Sequence, residues 1–290
     1  MPESKTKPLV PLAVTDHRRD ILGFRYIYPV VSRRAGGVSV GVNLNPNNAC
    51  NWRCIYCQVP DLVRGNAPEL DLTCLEAELA SLLEDIVYGD FMQRSVPKDV
   101  RRLNDVALSG NGEPTASRHF GEVVDLVGRQ LDQFGLLGQI KFVLITNGSQ
   151  LYKPGVQNAL SRLKALNGEI WFKYDRAPVN NHSFVNQIAL TPAQVKRHLL
   201  AATTHCPTWL QTCMFMLDGV LPSEEEIVAW LDLLREAMDA GARPEGVLLY
   251  GLARASTQAE AGRLAKAPDD WMRALACRIE AFGLPVRLSL

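Results

Sequence analysis

The sequence predicts an α/β fold in which a parallel sheet carries helices along its outside. Three observations point there. Short β-branched runs alternate with segments of helical periodicity from residue 38 to the end of the chain. No long linker or low-complexity stretch interrupts the row, and no shift in composition divides it. About six strand–helix units are too few to close an eight-fold barrel, yet enough for a strongly curved open sheet. Two three-unit halves of a doubly wound sheet would give the same string.

Residues 38–44 read as the first strand, flanked by Gly and Asn-Pro. Residues 72–88 place Leu72, Leu75, Leu79, Leu82, Leu83 and Ile86 at helical spacing. A short buried strand, 105–109, stops at Gly110. Helix 120–134 leads to the clearest strand, 140–146, closed by Asn147-Gly148. Helix 156–166 and strand 169–174 follow, with Lys173 and Asp175 expected on one face. Helix 192–203 has Thr191 as its N-cap and Pro192 at its first position. After strand 209–217, Ser223 opens a helix to Ala240 with Glu226 at capping-box spacing. Strand 247–251, helix 268–282 with Gly283 past its end, and a short strand 286–290 complete the row. The expected organisation is an N-terminal arm, 1–37, and one core domain, 38–290.

The composition agrees with a folded chain. Of 290 residues, 47% are hydrophobic, ample for a core, and 31 Lys and Arg balance 31 Asp and Glu. A neutral chain argues against a protein whose main business is non-specific nucleic-acid binding. No run approaches the roughly 18 apolar residues of a membrane helix. Residues 1–8 carry no apolar signal core and read as a mobile tail, so a reducing cytoplasm is the expected location. There, the seven cysteines are expected as free thiols or metal ligands.

The informative segment is Cys50-Asn51-Trp52-Arg53-Cys54-Ile55-Tyr56-Cys57, just after the first strand. Three thiolates in eight residues can wrap one soft metal centre. A structural zinc wants four closed ligands, commonly in two separated pairs, and no second C-x2-C follows. Cys74 stands in the predicted first helix and reads as core packing. A four-iron cluster held by three thiolates would leave one iron open to a small molecule. Zinc and cluster both remain readings of the thiols alone.

This loop resembles the signature of the radical S-adenosylmethionine (SAM) superfamily, C-x3-C-x-aromatic-C after the first strand of a partial (β/α)6 TIM-like barrel. The resemblance implies a [4Fe-4S] cluster on Cys50, Cys54 and Cys57 with SAM chelated at its unique iron. It also implies reductive cleavage of SAM to a 5′-deoxyadenosyl radical that abstracts hydrogen from a substrate. Tyr56 would lie beside the adenine. Gly112-Glu113-Pro114, with Asn111 where the family usually has its first Gly, is similar to an element contacting the SAM amino group. Thr146-Asn147-Gly148 is similar to a further element at the barrel mouth, and Lys173 and Asp175 stand where polar residues hold the ribose or carboxylate of SAM. For each, an ordinary turn or a solvated ion pair is the alternative read from the residues alone.

Strand 210–215 with Asp218-Gly219, and residues 249–254, resemble the wyosine-synthase-like branch, which implies a tRNA base as substrate. A small metabolite, a glycyl-radical protein, or a zinc-stabilised non-catalytic binding protein are the alternatives. No redox motif accompanies the cysteine loop, so a flavodoxin- or ferredoxin-type donor is the expected partner. The arm carries Arg18-Arg19, Arg25 and Arg33-Arg34 among Phe24, Tyr26 and Tyr28, which suits RNA or a phosphate-bearing substrate, while the neutral chain favours a solvated arm packed across the barrel.

Overall fold

The computed structural model describes residues 12–13, 19, 22–32 and 36–290. The expected tail at 1–8, together with Arg18 and Arg33-Arg34, lies outside the described residues. Eight strands stand side by side in chain order: β1 (Ile27–Ser32), β2 (Gly37–Val42), β3 (Leu103–Leu108), β4 (Lys141–Thr146), β5 (Gly168–Lys173), β6 (Thr208–Leu217), β7 (Gly246–Gly251) and β8 (Val286–Ser289). β2 to β8 are parallel, and β1 runs antiparallel to β2. Each parallel step is bridged by a helix: α1 (Leu72–Val87), α2 (Phe120–Gln133), α3 (Pro154–Ala165), α4 (Pro192–His205), α5 (Glu224–Asp239) and α6 (Asp269–Ala281). Within the described residues β1 and β8 do not pair, so the sheet is a curved, open half-barrel. The doubly wound alternative fails because the strand order never reverses.

The local signals explain the elements. Thr191 caps α4 in a full capping box with Gln194, and Ser223 caps α5 in another with Glu226. Gly283, at φ +106°, stops α6 in a conformation that side chains resist. Alternation along the strands then makes two apolar clusters. Val106, Leu108, Phe142, Leu144, Ile170 and Phe172 join the helices in the larger core. Ala107, Val143, Trp171 and Leu248 point the other way and form a small cluster on the concave face. Lys173, two residues beyond Trp171, therefore rises on the concave face at the C-terminal end of β5. No helix among the described residues is long and apolar enough to cross a membrane.

One expectation needs correction. Residues 27–32, read as part of a basic and aromatic arm, form β1 and are buried throughout. Pro29 obscured the strand, since proline donates no ladder hydrogen bond. That loss is tolerated because β1 is an edge strand. Tyr28 lies over Gly41 of β2, where a Cβ would come within 2.2 Å of the ring. Its hydroxyl meets Ser109 Oγ at 2.8 Å.

Candidate functional site

The cysteine loop follows β2 and lies at the C-terminal ends of the parallel strands. Its first thiol, Cys50, ends a two-residue strand (Ala49–Cys50); Cys54 is buried, and Cys57 is half-buried. The loop is held from two sides. The segment after β7 supplies Ser256 Oγ to the carbonyls of Ile55 and Cys57 at 2.8 and 3.0 Å, and the Thr257 N–H to Cys57 O at 3.0 Å. Arg254 Nε donates to Gln58 Oε1 at 2.9 Å. From the other side, the hairpin built on His182–Ser183 and Ile188–Ala189 offers Asn186 O to the Arg53 N–H at 3.2 Å and Val185 O to the Ile55 N–H at 2.9 Å.

The turn after β3 packs directly under the loop. A Cβ at Gly112 would sit 2.2 Å from the Ala49 carbonyl oxygen and 2.6 Å from the Asn45 side chain, so only glycine allows this approach. Asn111 has a local use. Its Nδ2 donates to Asn48 Oδ1 at 2.6 Å, its N–H donates to Asn43 Oδ1 at 3.0 Å, and Arg19 binds its Oδ1.

Glu113 is 2% exposed, and its carboxylate bridges two strand ends. Oε1 accepts from Thr146 Oγ1 at 2.6 Å, from the Thr115 N–H at 3.1 Å and from the Thr115 hydroxyl. Oε2 accepts the Asn147 N–H at 2.7 Å. Burial raises its pKa against the pull of these donors. Asn147 carries the connection onward, donating from Nδ2 to Asn51 Oδ1 at 2.8 Å, while Asn51 donates to Ser149 Oγ at 2.7 Å.

The third group is a relay of the buried Tyr56 and Asp175 with the half-buried Lys173. Lys173 Nζ donates to the Tyr56 hydroxyl at 2.5 Å, and that hydroxyl donates to Asp175 Oδ2 at 2.5 Å. Asp175 lies beyond the end of β5 rather than within it, and its Oδ1 accepts the Cys213 N–H at 3.0 Å. Burial works to lower the Lys173 pKa, but the acidic groups of Tyr250, Asp175, Cys54 and Cys213 around it raise it above the ordinary lysine value. Burial, then the Asp175 charge, hold the Tyr56 phenol well above its usual range. Burial also pushes the Cys54 thiol up to about 11, opposed by Lys173, and the Cys50 thiol up to about 12, opposed by the Trp52 N–H.

Thus Lys173 and Asp175 both meet the Tyr56 hydroxyl, Glu113 touches Asn147, and Asn147 reaches the cysteine loop through Asn51. A small cavity with room for about one water lies between them, lined by Trp52, Asn147, Lys173, Asp175, Asn186 and His198. Among the described residues His198 Nε2 has no hydrogen-bond partner, and burial brings its pKa down to about 4. Cys74 stands apart on α1, its thiol 3.6 Å from Glu78 Oε1. Among the described residues no three His, Cys, Asp or Glu side chains converge to hold one metal ion. Sequence reasoning missed Asn51, Asn186 and the 254–260 segment. Asn186 is 132 residues from Cys54, with no spacing signal to link them. The arm's aromatic rings are spent on the core: Tyr26 and Tyr28 are buried.

No family model matches the chain. A UPF0026 protein of Helicobacter pylori is 31% identical over 133 residues, 46% of this chain and 37% of that protein. A UPF0026 protein of Methanocaldococcus jannaschii is 24% identical over 220 residues, 72% of this chain and 59% of its own length. The chain therefore spans 37% and 59% of these two relatives, less than two thirds of each. Among solved structures, HydG, a maturase of the [FeFe]-hydrogenase, superposes with a TM-score of 0.50 at 13% identity, covering 86% of this chain and 51% of HydG. The chain is similar in sequence to UPF0026 proteins and shares the curved α/β half-barrel fold of HydG.

Proposed function

We propose that this chain is a radical SAM enzyme, with Cys50, Cys54 and Cys57 as the ligands of a [4Fe-4S] cluster and SAM bound beside it. The observation that carries the reading is convergence. A C-x3-C-x2-C loop lies at the C-terminal ends of parallel strands, beside polar side chains from β3, β4 and β5, the end of such a sheet where ligands bind.

The donor set fits. All three thiols are free of disulfides, and the loop donors are sulfur only. A cubane takes each thiolate on a separate iron, so its ligands stand apart. A structural zinc commonly takes four ligands in two separated pairs, whereas the loop supplies three thiols in a single run. A cluster held by these thiols would supply the one-electron chemistry for reductive cleavage of SAM and hydrogen abstraction from a substrate.

The chain's own residues bind and exclude. Gly112 lets the turn pack against the Ala49 carbonyl under the cysteine loop, Glu113 fixes the Thr146-Asn147 turn, and the Asn147 side chain ties that turn to the loop. Lys173 is a half-buried cation that donates to the Tyr56 hydroxyl, which in turn donates to Asp175, and it is suited to a carboxylate or ribose oxygen. The tRNA-base reading rests on the branch resemblance, because the buried Tyr26 and Tyr28 are not offered to a nucleobase. A small metabolite or a glycyl-radical protein is the competing substrate, and a flavodoxin- or ferredoxin-type protein the expected donor.

Anaerobic reconstitution tests the proposal. The expected result is about four irons per chain and 5′-deoxyadenosine released from SAM under reduction. One zinc per chain, no visible chromophore and intact SAM would overturn it. Binding to purified tRNA that weakens steeply with salt selects the tRNA substrate.

A further inference from the structure

Building on that function, we propose that Asn186 is a positioning residue for the Cys54 sulfur: its side-chain N–H, aimed by Asp175, donates to the thiolate and raises the reduction potential of the cluster held there. Asn186 is 3% exposed. Its Nδ2 lies 3.3 Å from Cys54 Sγ and 2.9 Å from Asp175 Oδ2, so the two amide protons have one acceptor each. Its Oδ1 accepts from Ser183 Oγ at 2.8 Å.

The orientation of the amide is chemically determined. Rotated by half a turn, it would press its carbonyl oxygen against the Asp175 carboxylate, two acceptors with no proton between them. Asp175 cannot yield, because the Tyr56 hydroxyl and the Cys213 N–H hold it at 2.5 and 3.0 Å. Lys173 in turn holds the Tyr56 hydroxyl. The donor and the sulfur also ride on one frame, since the backbone carbonyls of Val185 and Asn186 accept the N–H groups of Ile55 and Arg53. Cys50 differs: its sulfur receives a backbone N–H, from Trp52 at 3.4 Å.

An electron entering an iron–sulfur cluster adds negative charge to the thiolates. An N–H dipole fixed on a ligating sulfur stabilises the reduced state more than the oxidised one, which raises the potential. The buried setting keeps water from replacing the lost donor.

The test is a redox titration, followed by electron paramagnetic resonance, of the reconstituted full chain without SAM, comparing wild type with Asn186→Leu and Ser183→Ala. Asn186→Leu keeps the volume and removes the donor. It should retain wild-type iron and show a midpoint potential shifted to more negative values. Ser183→Ala leaves both amide protons but frees the amide's other end, and should shift the midpoint less, in the same direction. If Asn186→Leu loses its iron, Ser183→Ala decides: a shifted midpoint supports the inference, an unshifted one overturns it. An iron-loaded Asn186→Leu protein with the wild-type midpoint overturns it outright, leaving the radical SAM reading intact. A wild-type chain that takes up no iron ends that reading, and this inference with it.

Discussion

Arg53 forks onto Glu260 across 207 residues of chain, Nη2 to Oε1 at 2.7 Å and Nη1 to Oε2 at 2.9 Å. The pair fastens the middle of the cysteine loop to the segment after β7, and each partner is largely covered. The hydrogen bonds of Arg53 hold the Glu260 carboxyl below its usual range. A bidentate, partly buried pair of this kind is worth about 1 kcal/mol. Arg53→Met should lower the unfolding free energy by that amount, read as a lower urea midpoint at unchanged slope, and speed proteolysis within residues 51–59. The exchange Arg53→Glu with Glu260→Arg should recover part of the loss, and equal losses in the single and double variants would contradict the pairing.

Glu113→Gln sets an amide N–H against one of the donors that now meet a carboxylate oxygen. Leaving a buried donor unmatched costs about 2 kcal/mol, read as a drop in unfolding midpoint at unchanged slope. Thr146→Val, which deletes one of those donors and also the acceptor of the Gly148 N–H, should cost stability in both backgrounds, and less in the Gln one.

Replacing Cys50, Cys54 or Cys57 by Ala should each lower the iron content of the reconstituted chain and abolish SAM cleavage. Cys74→Ala and Cys277→Ala should leave both near wild type. Circular dichroism checks that the sheet persists, as the loop lies outside the main sheet and helices. Full iron in the Cys54→Ala variant would contradict the ligand assignment.

His119 stands at the start of α2 with Nε2 at 2.6 Å from Glu69 and Nδ1 at 2.8 Å from Glu122. Those carboxylates raise its pKa above 6.5. A raised folded-state value means the stabilisation is complete below pH 6.5, the unfolded value, and fades as pH climbs through the folded one. Stability should therefore decline across that window in wild type and flatten in His119→Gln, measured by urea denaturation at fixed ionic strength.

Gly112→Ala should be among the most damaging single-atom additions. The new methyl would meet the Ala49 carbonyl, a backbone atom that cannot swing aside. Overpacking of this kind costs about 1–3 kcal/mol, and here it also lifts the turn from the cysteine loop. Iron uptake should fall together with the thermal midpoint. Gly262→Ala, with nothing within 4 Å of its Cβ, is the control that should change neither.

Much of this was legible in the chain itself. Helical and strand periodicities predicted the parallel strands and the helices between them to within a few residues, and Thr191 and Ser223 marked two helix starts. The eight-residue cysteine loop stood out by the spacing of its three thiols. These are short-range properties, determined by neighbours along the backbone. What only the tertiary structure decided are the meetings between distant segments: β1 entering the sheet despite Pro29, Glu113 clamping the end of β4, Arg53 finding Glu260, and Asn186 reaching the Cys54 sulfur. Their partners are chosen by where the folded sheet returns the chain, and by the cost of burying a polar group alone.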